Sequence, residues 1–120
     1  MAIRFAVALA VVLTCGAATS PDGFAAFWPS FAAAAAKDDA KALAAMTALG
    51  PGLGDNGDSF AKFHARNLGP AVRRCLAAAK PTRDIDGNGH VEYGAFCGHV
   101  IYVFSKHGAA WRLTDLGVDD

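Results

Sequence analysis

The feature that most constrains the fold of this chain is a change of residue pattern near residue 80. Before it, four aromatic residues between positions 24 and 31 recur at the i, i+3, i+4 and i+7 spacing of one helix face, and a run of alanines follows. After it, the segments 90–97 (HVEYGAFC) and 100–105 (VIYVFS) are rich in the β-branched and aromatic residues that favour strands. Helices that precede antiparallel strands give an α+β domain. We therefore predict N-terminal helices whose aromatic face covers a C-terminal antiparallel sheet of three or four strands.

Helix-breaking and capping residues divide the first half into segments. Pro29 lies early enough to sit in a first helical turn or to start a second segment. Asp38 or Asp39 can cap a further helix that runs from Ala40 to Leu49. The dipeptide Gly69–Pro70 breaks a third helix and restarts it.

Glycine-containing turns divide the second half. Residues 87–89 (GNG) are a turn sequence between a short strand at 83–86 and the next strand. Gly98–His99 is either a two-residue hairpin turn or a bulge within one long strand. Gly108 marks a firmer turn because glycine adopts positive φ without strain.

The N-terminus carries a pattern of its own. A short basic start at Met1–Arg4 precedes an unbroken apolar run at Phe5–Leu13, and small residues continue to Ala18. This three-part pattern is typical of a secretory signal peptide. The run is too short to cross a bilayer, which needs about 20 apolar residues. We therefore predict a cleaved signal peptide at 1–18, and a single periplasmic or secreted α+β domain at 19–120 with no membrane span.

The number of cysteines is consistent with this predicted export. Cleavage after Ala18 removes Cys15 and leaves Cys75 and Cys97. An even number of cysteines in an oxidising compartment favours a disulfide bond, here worth about 3 kcal/mol on the chain-entropy model. Two buried free thiols are the alternative. For the N-terminus the alternatives are a lipoprotein, since VLTC at 12–15 loosely resembles the motif in which cysteine is lipidated, and a buried N-terminal helix.

The charge balance excludes some partners. The chain has 11 basic and 11 acidic residues and a formal net charge of zero. This argues against nucleic acid, because phosphate binding needs a surplus of Lys and Arg, and against a polybasic membrane-surface protein. The segment 62–83 is locally basic, which suits either an anionic ligand or acidic partner, or a solvated helix face.

Two stretches resemble a known family. The segment 27–46 (FWPSFAAAAAKDDAKALAAM) resembles the opening of NTF2-like, or cystatin-like cone, domains, with a helix, an acidic turn and a second short helix. The segment 102–117 (YVFSKHGAAWRLTDLG) resembles the last hairpin of that superfamily. The resemblance implies a ligand pocket between a curved sheet and the helices. The superfamily includes small isomerases and dehydratases.

Aromatic residues are the candidates for the wall of such a pocket. They supply either the wall or the core, and in a chain this short the core is favoured. The candidate pocket residues are Phe27, Trp28, Phe31, Phe63, Tyr102 and Trp111.

The loop after residue 83 resembles part of a calcium site. Asp84, Asp86 and Asn88 match positions 1, 3 and 5 of an EF-hand loop, where hard oxygen ligands bind Ca²⁺, and Gly89 falls at the sharp turn. Position 12, which should carry a bidentate carboxylate, is Ala95. The sequence therefore allows a weak calcium site or a hairpin turn that uses Asp, Gly and Asn for backbone reasons.

Other chemistry has weaker signals. Zinc needs three or four convergent ligands, and the histidines show no close metal-type spacing. An acid–base enzyme needs an ionisable group in a dry cavity. The candidates for that group are Tyr93, His99, Tyr102 and Asp115.

We therefore expect an exported binding domain without catalytic activity or cofactor, whose partner is a small apolar ligand or an envelope protein. A calcium-binding module using the loop 84–95 and a pocket acid–base enzyme are the alternatives.

Overall fold

The computed structural model of the chain describes residues 22–50, 53 and 59–118. The predicted signal peptide at 1–18 lies outside the described residues, as do the first residues of the predicted domain. The helices are α1 (Phe24–Lys37), α2 (Ala40–Ala45), α3 (Phe60–Asn67) and α4 (Pro70–Ala78). The strands are β1 (Thr82–Ile85), β2 (Val91–Cys97), β3 (Val100–His107) and β4 (Ala110–Val118). They form one antiparallel sheet in the order β1-β2-β3-β4, which confirms the predicted α+β class.

Local capping chemistry sets most helix boundaries. Asp38 adopts a left-handed conformation with φ 50° and ends α1. Asp39 then caps α2, because its carboxylate accepts a hydrogen bond from the Ala42 backbone N–H at 3.2 Å. Ser59 caps α3 in the same way. Pro70 occupies the first turn of α4, where its missing N–H costs nothing.

Two helical predictions were wrong. α1 runs through Pro29 without a break, because Phe24 and Phe31 on either side of it are buried in the core and hold both halves in line. α2 ends at Ala45 rather than Leu49, because the next residues leave the helix to pair with β4.

The segment after α2 adds to the sheet. The Ala48 N–H donates to the Leu113 carbonyl at 2.9 Å, and the Leu113 N–H donates to the Met46 carbonyl at 2.8 Å. Thr47 thereby forms an isolated parallel bridge to Leu113 in β4. Backbone groups on the outer side of β4 are paired at this point.

Tight turns connect the last three strands. Gly98–His99 is a two-residue hairpin turn, and Gly98 takes φ 69°. The alternative of a bulge at this position is therefore wrong. A register shift lies instead between Val103 and Phe104, in the pairing of β3 with β4.

The helices cover one face of the sheet through an aromatic core. Phe104 has 0% exposure, and its ring meets the rings of Phe31 and Trp28 edge-on at centroid distances of 4.9 and 5.3 Å. Phe24 of α1 stacks on Tyr93 of β2 at 3.7 Å. The predicted contact between the aromatic face of α1 and the sheet is therefore present.

A disulfide joins the two layers. The sulfurs of Cys75 in α4 and Cys97 at the end of β2 are 2.09 Å apart, and their Cα atoms are 5.8 Å apart. The pairing predicted from the sequence is thus present in the structure, and it ties a helix to the sheet.

A second tie is the hydroxyl of Tyr102. The Tyr102 side chain has 2% exposure, and its O–H donates to the Asn67 carbonyl at the end of α3, at 2.6 Å. Burial raises the pKa of Tyr102 above its ordinary value of about 10. Folding therefore favours the protonated phenol that makes this hydrogen bond.

We expect Tyr102→Phe to lower the free energy of unfolding by about 1–2 kcal/mol, because the Asn67 carbonyl loses its donor. The raised pKa gives this effect a pH dependence. The stabilisation is fully present below about pH 10 and is lost as the pH rises through the higher folded-state pKa. Urea denaturation of both proteins near neutral pH and above pH 10 should show that the difference between their free energies of unfolding becomes smaller at the higher pH. A constant difference would contradict the assignment.

Candidate functional site

The two faces of the sheet differ in what covers them. Side chains alternate between the faces of a strand, and those on the helix side form the buried core. On the opposite side, no described side chain is buried. We call this side the open face; it comprises Thr82, Asp84, Glu92, Gly94, Phe96, Ile101, Val103, Ser105, His107, Ala110, Arg112, Thr114, Asp115 and Gly117.

Apolar side chains lie at the centre of the open face. Phe96 is 51% exposed, and Ile101 is its cross-strand partner. Val103 follows on the same strand and pairs with Gly94. These residues line a shallow cavity of about 320 Å³. An exposed ring beside two aliphatic side chains is typical of a surface that binds another molecule.

Two glycines beside Ile101 leave the centre of the open face without side chains at their positions. A Cβ atom at Gly94 would lie 3.0 Å from the Ile101 Cγ2 atom, and one at Gly117 would lie 3.6 Å from the Ile101 Cβ atom. Neither glycine has a positive φ, so the backbone conformation does not require glycine at either position. Glycine inside a strand often marks the close approach of a ligand or another chain. Because Gly94 and Gly117 have no side chains, the surface beside Ile101 forms a shallow groove.

Acidic residues border the apolar centre. Asp84 and Glu92 are cross-strand partners on β1 and β2, and Asp115 of β4 lies opposite Val103. Arg112 is the one Lys or Arg among the open-face residues, and its guanidinium donates to a backbone carbonyl at 3.1 Å. The open face therefore carries an excess of negative charge.

The pKa of Glu92 responds to this excess of negative charge as well as to burial. Partial burial raises the pKa of Glu92, and the like charges of Asp86, Asp115 and Asp84 raise it further, while His90 lowers it. The ionised carboxylate of Glu92 is therefore held in a field that disfavours it. A positive charge brought to this face would relieve that repulsion.

A second cavity lies where the chain enters α1. The Asp22 carboxylate accepts a hydrogen bond from the Tyr93 hydroxyl at 2.9 Å and lies 3.5 Å from the Arg83 Nε atom. The Trp111 indole N–H donates to the Asp22 carbonyl at 2.8 Å. Asp22, Trp111 and Lys106 border a cavity of about 300 Å³. These contacts fix the start of α1 against the sheet.

The predicted pocket residues are mainly core. Phe31, Phe63 and Tyr102 are fully buried, and Phe27 and Trp28 are half-buried against the same cluster. Trp111 is buried and borders the cavity at Asp22. These six residues therefore lie in or against the core, and a ligand pocket lined by them stays a prediction.

Sequence reasoning missed the open face. The signal that indicates it is the run at 100–104 (VIYVF), which is apolar at every position. A strand with one solvated face alternates between apolar and polar residues, whereas an unbroken apolar run indicates contacts on both faces. Here the second face has no cover among the described residues.

The loop whose calcium binding is predicted forms a hairpin turn between β1 and β2, and calcium binding there stays a prediction. The Asp86 Oδ1 atom accepts hydrogen bonds from the backbone N–H groups of Asn88 at 2.8 Å and His90 at 2.9 Å, which lower the pKa of Asp86. Asp84 lies in β1 opposite Glu92. No group of three or more His, Cys, Asp or Glu side chains in the part of the chain that the structure describes could hold a metal ion.

His64, His99 and His107 lie in different parts of the fold. The His64 Nε2 atom is 2.7 Å from an Asp38 oxygen, and the Arg73 Nε atom is 3.5 Å from the same oxygen, so this group links α3 and α4 to the end of α1. His99 is exposed in the β2–β3 turn, and His107 is exposed at the end of β3.

The candidate catalytic residues are not brought together. Tyr93 and Tyr102 point into the core and donate hydrogen bonds to Asp22 and Asn67. Asp115 lies on the open face, and His99 lies in a turn (above). Of these four residues, only Tyr93 lines the cavity at Phe96, and none lines the cavity at Asp22.

No family model matches this chain, and neither a curated protein nor a solved structure shows detectable similarity to it. The resemblance to NTF2-like domains stays a prediction that rests on the segments 27–46 and 102–117. No helix within residues 22–50 or 59–118 combines the length and the apolar character needed to cross a membrane. Function must therefore be argued from the geometry of the site.

Proposed function

We propose that this chain is an exported, non-catalytic domain that binds another protein through the open face of its sheet. The observation that carries the proposal is the half-exposed ring of Phe96 beside Ile101 and Val103, at the centre of a sheet face that no described helix covers. Burial of apolar surface is the main favourable contribution to protein association. A partner that covers this face would remove these side chains from water.

The shape of the face favours a protein over a small apolar ligand. Small ligands bind in concave sites that bury most of their surface. The aromatic residues predicted to line such a site are packed together in the core, with Phe31 and Phe63 at 0% and 1% exposure. The cavity at Phe96 is instead a shallow groove that crosses neighbouring strands. A shallow groove of this kind is complementary to an extended surface of another protein.

Export is supported by two independent features. The three-part pattern at 1–18 is that of a secretory signal. The Cys75–Cys97 bond belongs to an oxidising compartment, because cytosolic thiols are kept reduced. We place the protein in the periplasm or outside the cell, and we keep the NTF2-like relationship as part of the proposal.

Site-specific photo-crosslinking in the native host tests the proposal. With a photoreactive amino acid in place of Val103, we expect an adduct of one discrete mass in the exported fraction, because Val103 borders the groove. The matched control places the same amino acid at Ala33, which is exposed on α1. The mass of the protein in that fraction should correspond to a chain that begins at Thr19.

A second substitution in the same chain tests whether the crosslink depends on the apolar centre of the open face. Phe96→Ser should abolish the Val103 adduct without altering the yield of the protein, because Phe96 is exposed and contributes little to the core. Equal adducts from Val103 and Ala33, an adduct that survives Phe96→Ser, or a protein that still begins at Met1 would contradict the proposal.

A further inference from the structure

We infer that the partner presents a cationic amphipathic helix to the open face. Its apolar side chains would lie over Phe96 and Ile101, and its Lys or Arg side chains would lie beside Asp84, Glu92 and Asp115. This inference rests on the proposed function, since it names the chemistry of the protein that the face binds. It is carried by the shape of the apolar groove and by the charge around it.

The groove accommodates a rod-shaped occupant. Phe96, Ile101 and Gly117 form one row across β2, β3 and β4, since each is the register partner of the next. Strands lie about 4.8 Å apart, so this row is about as wide as one helix with its side chains. The absence of a side chain at Gly94 and Gly117 leaves space on both sides of Ile101. The apolar stripe of an amphipathic helix matches such a groove.

The acidic side chains on the open face favour a partner helix whose polar face carries Lys and Arg. Asp84 and Glu92 line the groove, and Asp115 lies opposite Val103 on the next strand. The guanidinium of Arg112 on the same face donates one hydrogen bond to a backbone carbonyl. Arg83 at the margin of the groove pairs with Asp22. Partial burial raises the pKa of Glu92 and the like charges around it raise it further, and a Lys or Arg side chain would remove that repulsion. Complementary charge is the usual device by which such surfaces choose a partner.

Charge segregation within this chain makes a second copy the main rival occupant. The overall net charge is zero, yet the basic residues at positions 62, 66, 73 and 74 lie on α3 and α4. Those helices could contact the open face of another copy. The test therefore has to separate a foreign cationic helix from self-association.

The experiment titrates the full chain, purified from an exporting host, with two helical peptides by calorimetry. One peptide carries leucine at the i, i+3, i+4 and i+7 positions of one helix face and lysine on the opposite face, and the other replaces every lysine by glutamate. Glu92→Gln removes one charge from the face, and Asp39→Asn removes one from the helical side while keeping the α2 cap, because asparagine caps as well as aspartate. Phe96→Ser is matched by Val118→Ser, since Val118 is an apolar residue with 74% exposure outside the groove.

We expect the leucine–lysine peptide to bind and the leucine–glutamate peptide not to bind. Phe96→Ser should weaken the affinity about tenfold and Glu92→Gln about threefold, whereas both control variants should leave it unchanged. Added salt should weaken binding, because the charges are near the surface. Melting temperatures of all variants confirm that each is folded.

Three results would overturn the inference. They are equal binding of both peptides, equal loss in the control variants, and concentration-dependent self-association that Phe96→Ser abolishes. A Val103 adduct from the host, combined with no binding of the leucine–lysine peptide, would refute the cationic chemistry and leave the proposed function standing. The absence of a Val103 adduct in the chain that keeps Phe96 would refute the function itself.

Discussion

Cys75→Ser lowers the free energy of unfolding by about 2–5 kcal/mol, the range for loss of a native disulfide in a small exported domain. The bond joins α4 to the last residue of β2 and closes a loop that contains all of β1. A domain of this size has a total stability of about 5–15 kcal/mol, so the loss is a large share of the whole. Urea denaturation of the oxidised protein and of the variant measures it.

Reduction provides the control for this expectation. The oxidised protein should melt at a lower temperature once a reductant is added, whereas a variant with serine at both Cys75 and Cys97 should not respond. The reduced protein and the double variant should then have similar stability, because both lack the same constraint on the unfolded chain. An unchanged melting temperature under reducing conditions would refute the contribution of the bond.

Phe104→Ala should lower the free energy of unfolding by about 3–5 kcal/mol. Phe104 has 0% exposure and lies among the rings of Phe27, Trp28 and Phe31 from α1. Its removal leaves a cavity between the helices and the sheet, in addition to the lost transfer free energy of the ring. Equilibrium denaturation in urea at neutral pH measures the difference.

The neighbouring residue is the matched control. Val103 adjoins Phe104 on β3 but points to the open face, where it is half-buried. Val103→Ala should therefore cost about 1 kcal/mol or less. Equal losses from the two substitutions would show that the two faces of the sheet do not differ as described. A large difference would locate the core on one side of β3 alone.

Much of the fold is predictable from local sequence. The aromatic spacing of α1 and the turn at Gly108 act over a few residues and appear in the structure as expected. The cap at Asp39 and the hairpin turn at Gly98 are each one of the two alternatives that the sequence offered. The pairing of Cys75 with Cys97 follows from the count of cysteines once 1–18 is set aside. These features depend on elementary backbone and side-chain preferences.

Features that depend on distant contacts are not predictable in this way. α2 stops at Ala45 because Met46 and Ala48 form hydrogen bonds to Leu113, more than sixty residues later in the chain. α1 tolerates Pro29 because rings on both sides of it are buried against strands. The sequence signals near these residues are weaker than the tertiary contacts that override them.

The candidate site was missed for a related reason. Its residues come from four strands, and their proximity depends on register, which the sequence does not specify by itself. Aromatic residues such as Phe31 and Phe63 gave a strong signal, but that signal belongs to the core. The acidic border joins Asp84 and Asp115, which are thirty-one positions apart in the chain. Only the order of the strands brings them to one surface.

The borders of the sheet have a consequence for assembly. Backbone pairing by Met46–Ala48 blocks the outer side of β4 at Leu113, and β1 forms the opposite border of the sheet. That border is four residues long, and it carries the charged side chains of Arg83 and Asp84. Short, charged borders discourage strand-by-strand polymerisation. The molecule can thus expose an apolar sheet surface to a partner while resisting growth into fibrils.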